Sequence, residues 1–136
     1  MKLYKILSVI SIFSIFILSA CSNDGERYNF YGKTDNWIVK YKTKISEERE
    51  WADYSVEYIG EENRPEKFVY NLKSSWFEFG SEESFERNGK VYAGNSECTG
   101  PPSNEESCEV NIEKDEKMKA TLEWDGKSEV IEMYRK

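Results

Sequence analysis

The sequence predicts an all-β protein, an antiparallel sandwich of about seven to nine short strands, on three observations. Apolar and aromatic residues recur at every second position over most of the chain from Trp37 onward. Turn signals, among them Asn88-Gly89 and Asp125-Gly126, stand between such runs. No stretch beyond the apolar start repeats its apolar residues every 3.6 positions between helix caps. A small barrel is the second choice.

The elements follow in order. Trp37, Val39, Tyr41, Thr43 and Ile45 alternate with Ile38, Lys40, Lys42 and Lys44, one buried face against one solvated face. Ser46 to Glu50 has the flavour of a capping box but is too short for more than one helical turn. The alternation resumes after Trp51, with Tyr54, Val56 and Tyr58 opposing Asp53, Ser55 and Glu57. A turn over Gly60-Glu61-Glu62-Asn63-Arg64-Pro65 precedes Phe68, Tyr70 and Leu72 at the same spacing. Phe77 and Phe79 share one face, Trp76 and Glu78 the other. Asn88-Gly89 read as a two-residue hairpin sets Phe85 opposite Tyr92. Asp125-Gly126 pairs Trp124 with Lys127, and so Ala120 with Ile131, Met118 with Met133 and Lys119 with Glu132. One residue breaks that pattern: Glu129 falls on the apolar face opposite Leu122, a position expected at an open rim.

Composition narrows the function. The chain has 136 residues, a length that fits one domain. Its 19 Lys+Arg against 26 Asp+Glu give a net charge of −7, which speaks against nucleic acid as a partner. There is no histidine, so no Ser-His-Asp or Cys-His arrangement and no His-ligated metal site can be built. Neither a nucleophile elbow nor a phosphate-cradling glycine loop occurs. No catalytic residue, no metal site and no cofactor is predicted, and an enzyme is not expected.

The first twenty residues differ from the rest. Lys2 and Lys5 precede an apolar run from Ile6 to Leu18, too short to span a bilayer core of about 30 Å as a helix. The run fits a secretory signal peptide. Leu18-Ser19-Ala20-Cys21 follows, and here the chain resembles the lipobox of bacterial lipoproteins. That resemblance implies cleavage between Ala20 and Cys21 and a diacylglycerol on the Cys21 thiol, whose two acyl chains (palmitate or similar) anchor stably where one would bind only marginally. The alternative is an ordinary signal peptide followed by a chance cysteine. Removing residues 1–20 takes two lysines and no acid, which leaves 116 residues with a net charge of −9. Residues 21–35 are read as the lipidated terminus and a flexible tether, residues 36–136 as the sandwich domain. The predicted location is the extracellular face of the cell membrane.

Cys98 and Cys108 flank the turn-rich segment Thr99-Gly100-Pro101-Pro102-Ser103-Asn104. An exported compartment permits a disulfide between them, which would stabilise by roughly 2.5–3 kcal/mol on the chain-entropy argument. Two free thiols, or half of a metal site, are the alternatives.

Trp37-Ile38-Val39-Lys40-Tyr41, Tyr54-Ser55-Val56-Glu57-Tyr58-Ile59-Gly60 and Arg64-Pro65-Glu66-Lys67-Phe68 together resemble small surface lipoproteins of low-GC Gram-positive bacteria. So does the ending Lys119-Ala120-Thr121-Leu122-Glu123-Trp124-Asp125-Gly126-Lys127-Ser128-Glu129. The likeness covers most of the chain after Cys21 except Trp76 to Gly94. It implies an immunoglobulin-like sandwich and a surface location, and it carries over no catalytic residue.

Two sets of residues remain as candidates. Acids gather in the turns: Glu47, Glu48, Glu50 and Asp53; Glu61, Glu62 and Glu66; Glu82, Glu83 and Glu86; Glu105 and Glu106. None has the Asp-x-Asp-x-Asp-Gly spacing of a calcium loop, and solvated turns are the plainer explanation. Trp76 and Tyr92 fit the inner faces least well and are candidate contacts for a partner, with edge packing as the plainer explanation. The expected function is therefore a lipid-anchored, non-catalytic extracellular binding module for an extracellular or cell-wall protein. The alternatives are an inhibitor of a basic cell-wall hydrolase of lysozyme type, and an envelope structural or stress lipoprotein.

Overall fold

The computed structural model describes residues 25–46, 49–99, 112 and 115–136. Eight antiparallel strands follow one another: β1 Glu26–Lys33, β2 Trp37–Ser46, β3 Arg49–Tyr58, β4 Lys67–Lys73, β5 Glu78–Ser84, β6 Val91–Thr99, β7 Lys117–Trp124 and β8 Lys127–Arg135. They form one sheet in the order β5-β4-β7-β8-β1-β2-β3-β6. The sheet rolls until its ends approach, as ring contacts of β3 and β6 with β4 and β5 attest: Tyr54 lies 5.2 Å from Phe79 and Tyr92 lies 5.7 Å from Tyr70. The ladder is single and continuous, which describes a nearly closed barrel rather than two separate facing sheets. No helix occurs among the described residues, and none is long and apolar enough to cross a membrane.

Period-two patterning explains each strand. On β2 the buried set is Trp37, Val39, Tyr41 and Thr43; on β3 it is Ala52, Tyr54, Val56 and Tyr58; on β4 it is Phe68, Tyr70 and Leu72. Met118, Ala120, Leu122 and Trp124 from β7 meet Ile131 and Met133 from β8. Trp37 sits at the centre of an aromatic cluster. Tyr58 and Trp124 stand edge-on to it at 5.0 and 5.2 Å, and Phe85 stacks at 6.2 Å. Such pairs add about 0.5–1.5 kcal/mol each beyond the area they bury.

The last hairpin has the register expected from Asp125-Gly126, from Trp124↔Lys127 out to Met118↔Met133. Both turn residues adopt positive φ, 44° and 75°, as a primed turn requires. Two expectations are corrected. Residues 26–33, assigned from sequence to the tether, form β1, because Tyr28 and Phe30 point inward beside β2 and β8. The supposed Asn88-Gly89 hairpin does not pair Phe85 with Tyr92. The strand before it, β5, pairs with β4 and the strand after it, β6, pairs with β3, so the link runs between opposite ends of the sheet. Asn88 takes a φ of 67° in a tight turn closed by the Gly89 amide on the Glu86 carbonyl, at 2.8 Å. Phe85 is freed to enter the core against Phe68, 4.7 Å away. Ser46 pairs directly with Arg49, so β2 and β3 form a hairpin, in keeping with a segment too short for more than one helical turn.

Candidate functional site

The two ends of the sheet, β5 and β6, form a seam. Among the described residues each has a neighbour strand on one side only, so each presents backbone N–H and C=O groups along its other edge. The two edges are chemically unlike. Along β5, Glu78, Glu82 and Glu83 put three carboxylates into seven residues. Along β6, Val91-Tyr92-Ala93-Gly94-Asn95-Ser96 carries no charge and no proline. Charge and proline are the usual guards of an open edge, and β6 lacks both over these six positions.

Beneath the seam the barrel interior turns polar. The hydroxyls of Tyr54 and Tyr70 hydrogen-bond at 2.7 Å, and the Tyr92 ring packs 6.4 Å from Tyr54 and 6.0 Å from Phe68. Burial, helped by the Tyr70 hydroxyl, pushes the Tyr54 phenol well above the ordinary tyrosine range. Burial together with the Glu83 carboxylate on its hydroxyl pushes Tyr92 up to about 12. Raised in this way, the Tyr54 and Tyr92 phenols are neutral near pH 7 and act as hydrogen-bonding and packing groups rather than as bases. Gly94 makes room for them, because a Cβ there would stand 2.5 Å from the Tyr54 hydroxyl oxygen. On the outer side of β6 a groove of about 450 Å³ is lined by Lys40, Lys42, Asp53, Ser55, Ala93 and Asn95. The small side chains of Ser55 and Ala93 leave the backbone of β6 open to approach.

The opposite rim explains Glu129. Its carboxylate accepts hydrogen bonds from Thr34 Oγ1 at 2.7 Å and Asn36 Nδ2 at 2.5 Å, both on the β1–β2 turn. The acid that breaks the pattern of β8 thus ties two hairpins together. At another part of the interior Glu50 accepts from the Tyr41 and Thr43 hydroxyls, at 3.2 and 3.0 Å.

The residues singled out from sequence are distributed as follows. Trp76 is half-buried in the β4–β5 turn, against Phe30 at 6.2 Å and Phe77 at 5.3 Å, with its indole N–H buried and without a hydrogen-bond partner among the described residues. Tyr92 is half-buried with its hydroxyl inside the seam. Structure brings Tyr92 to Tyr54, Tyr70 and Glu83, and leaves Trp76 apart from them. No period or motif marks that polar group, because its members come from four strands. Ala20, Cys21 and Cys108 lie outside the described residues, as do Glu47, Glu48, Glu105 and Glu106; Cys98 is described through its backbone alone. Among the described residues no three His, Cys, Asp or Glu side chains gather closely enough to hold a metal ion.

No protein-family model, curated protein or solved structure matches the chain. What the molecule does has to be argued from the barrel itself.

Proposed function

We propose that the chain is a lipid-anchored interaction module at the extracellular face of the cell membrane, tied by a diacylglycerol on Cys21, and that its partner is a protein docking an extended segment on β6. The observation that carries this is the uncharged open edge from Val91 to Ser96, flanked by the groove over Ser55 and Ala93. Strand addition to such an edge takes its affinity from backbone hydrogen bonds, and pockets beside the edge select the side chains. The interior is filled by aromatic rings, which favours a surface for binding over an enclosed cavity for a small ligand. The disulfide between Cys98 and Cys108 would hold the far end of β6 in place.

A photo-crosslinker at Ala93 on intact cells tests the reading, with the same probe at Val69 as a control on a strand paired on both sides. Capture from position 93, lost when lysine replaces both Ser96 and Asn95 in a protein that still folds, is the expected result. Equal capture from both positions, or capture that survives the two lysines, would refute docking at this edge. The intact mass of protein extracted from membranes reports separately on the acyl groups at Cys21 and on the two-proton deficit of the disulfide.

One observation favours a second reading, inhibition of a basic cell-wall hydrolase. Four acids, Glu66, Glu82, Glu123 and Asp125, against two lysines, Lys67 and Lys127, line a groove of about 570 Å³ on the β4–β7 side. A cationic enzyme would be drawn to it in a salt-sensitive manner. Undiminished lysozyme activity at low ionic strength in the presence of excess protein would dispose of this reading.

A further inference from the structure

Charge on the barrel is unevenly distributed. On the outer face of β7, β8, β1 and β2, one register row sets Lys117, Tyr134, Tyr31 and Lys40 side by side. The next rows set Asn29 beside Lys42 and Arg27 beside Lys44. Lys117 Nζ stands 5.6 Å over the Tyr134 ring and Lys136 Nζ 3.9 Å over the Tyr31 ring. Glu132 on β8 and Asp53 on β3 are the acids bordering these rows. On the opposite side acids and lysines are paired, Glu78 with Lys73 at 2.7 Å, Glu82 with Lys67 at 3.2 Å and Glu62 with Lys127 at 2.5 Å. A chain of net charge −7 therefore carries one basic, tyrosine-studded face.

The preceding chain leaves the barrel at a corner of that face. Gly25, just before β1, packs against the Ile45 carbonyl and the Lys44 side chain, where an added Cβ would stand 2.6 and 3.4 Å from them. Cys21 is four residues upstream, a reach of at most about 14 Å. We infer that this face lies on the anionic headgroups of the membrane that holds the anchor, an inference resting on the lipoprotein reading given above. Each Lys or Arg close to an anionic bilayer strengthens the attraction roughly fivefold, and tyrosine rings suit the headgroup level. The strand β1 lies in the middle of the ladder and β5 at one end, so β5 turns away from the membrane, while the groove beside β6 shares Lys40 and Lys42 with the border of the basic face.

The test uses protein extracted from membranes. Intact mass decides first whether Cys21 is acylated. Acylated protein is reconstituted into vesicles and unacylated protein is mixed with them, so the face is tested whichever way the anchor is decided. Acetylation of each lysine by an amine-reactive ester is then compared between phosphatidylcholine vesicles and vesicles containing phosphatidylglycerol. At low salt the anionic vesicles should slow Lys40, Lys42 and Lys117 about threefold or more, leave Lys67, Lys73 and Lys127 unchanged, and lose the effect at about 0.5 M salt. The double variant Lys40→Glu, Lys42→Glu should label Lys117 equally in both vesicle types while keeping its near-ultraviolet circular dichroism. Equal labelling of the original protein in both vesicle types would overturn the inference. So would protection by a soluble polyphosphate that the vesicles fail to reproduce.

Discussion

Gly94 is the position where one methyl group decides the local arrangement. Its missing side chain is the space that the Tyr54 ring occupies, so Gly94→Ala forces Tyr54 away and separates its hydroxyl from Tyr70. A loss of about 1–3 kcal/mol is expected, read as a lower denaturation midpoint with an unchanged slope. Glu129 is the converse case, a polar residue on an apolar face made favourable by its partners. Glu129→Ala should cost about 1–2 kcal/mol by leaving the Thr34 hydroxyl and Asn36 amide without their acceptor, whereas Glu129→Gln keeps an acceptor and should cost less. The buried phenols set the alkaline limit. Burial raises Tyr41, Tyr54 and Tyr92 above the ordinary value of 10.0, so above pH 10 the unfolded chain sheds protons that the folded chain keeps. Their contribution is complete below pH 10 and declines as pH rises through about 12 for Tyr92. Denaturant titrations on either side of pH 10 should show stability falling with pH, with part of the phenolate absorbance appearing only on unfolding.

At the scale of elements, the strands differ in how many neighbours hold them. The central strands β8, β1 and β2 are paired on both sides, whereas β5 and β6 are paired on one. Amide exchange should therefore be fastest along β5 and β6 and slowest along β2 and β8; uniform protection across all eight strands would mean that the seam closes in solution. The strands themselves were legible because alternation is local: Trp37 to Thr43 and Met118 to Met133 declare their faces without reference to anything distant. β1 was missed because Tyr28 and Phe30 are the only large side chains among its three buried residues and gain their partners from β2 and β8. The Asn88-Gly89 signal describes a turn correctly, but a turn does not choose which strands pair across it. Here β3 and β4 outcompeted the local hairpin.

For the whole molecule, net charge is a poor guide and its distribution a better one. Eight strands in a rolled sheet place the lysines of β2 with those of β7, far from the carboxylates of β5. The barrel thus has a basic side, a side on which acids and lysines are ion-paired, and an uncharged edge. The same rolling brings Tyr54, Tyr70, Tyr92 and Glu83 together from four strands, so the candidate site could not be read from any one segment.

By itself the sequence determined the β class, the register of the Asp125-Gly126 hairpin, the inner face of most strands and the expectation of export and lipidation at Cys21. Those depend on residues within a few positions of one another. Only the tertiary structure decided that the strands make one nearly closed sheet, that β6 is left with an open uncharged edge, and that Glu129 has partners. The physical reason is that closure and edge pairing are competitions among strands distant in the chain, settled by how well their buried faces fit together.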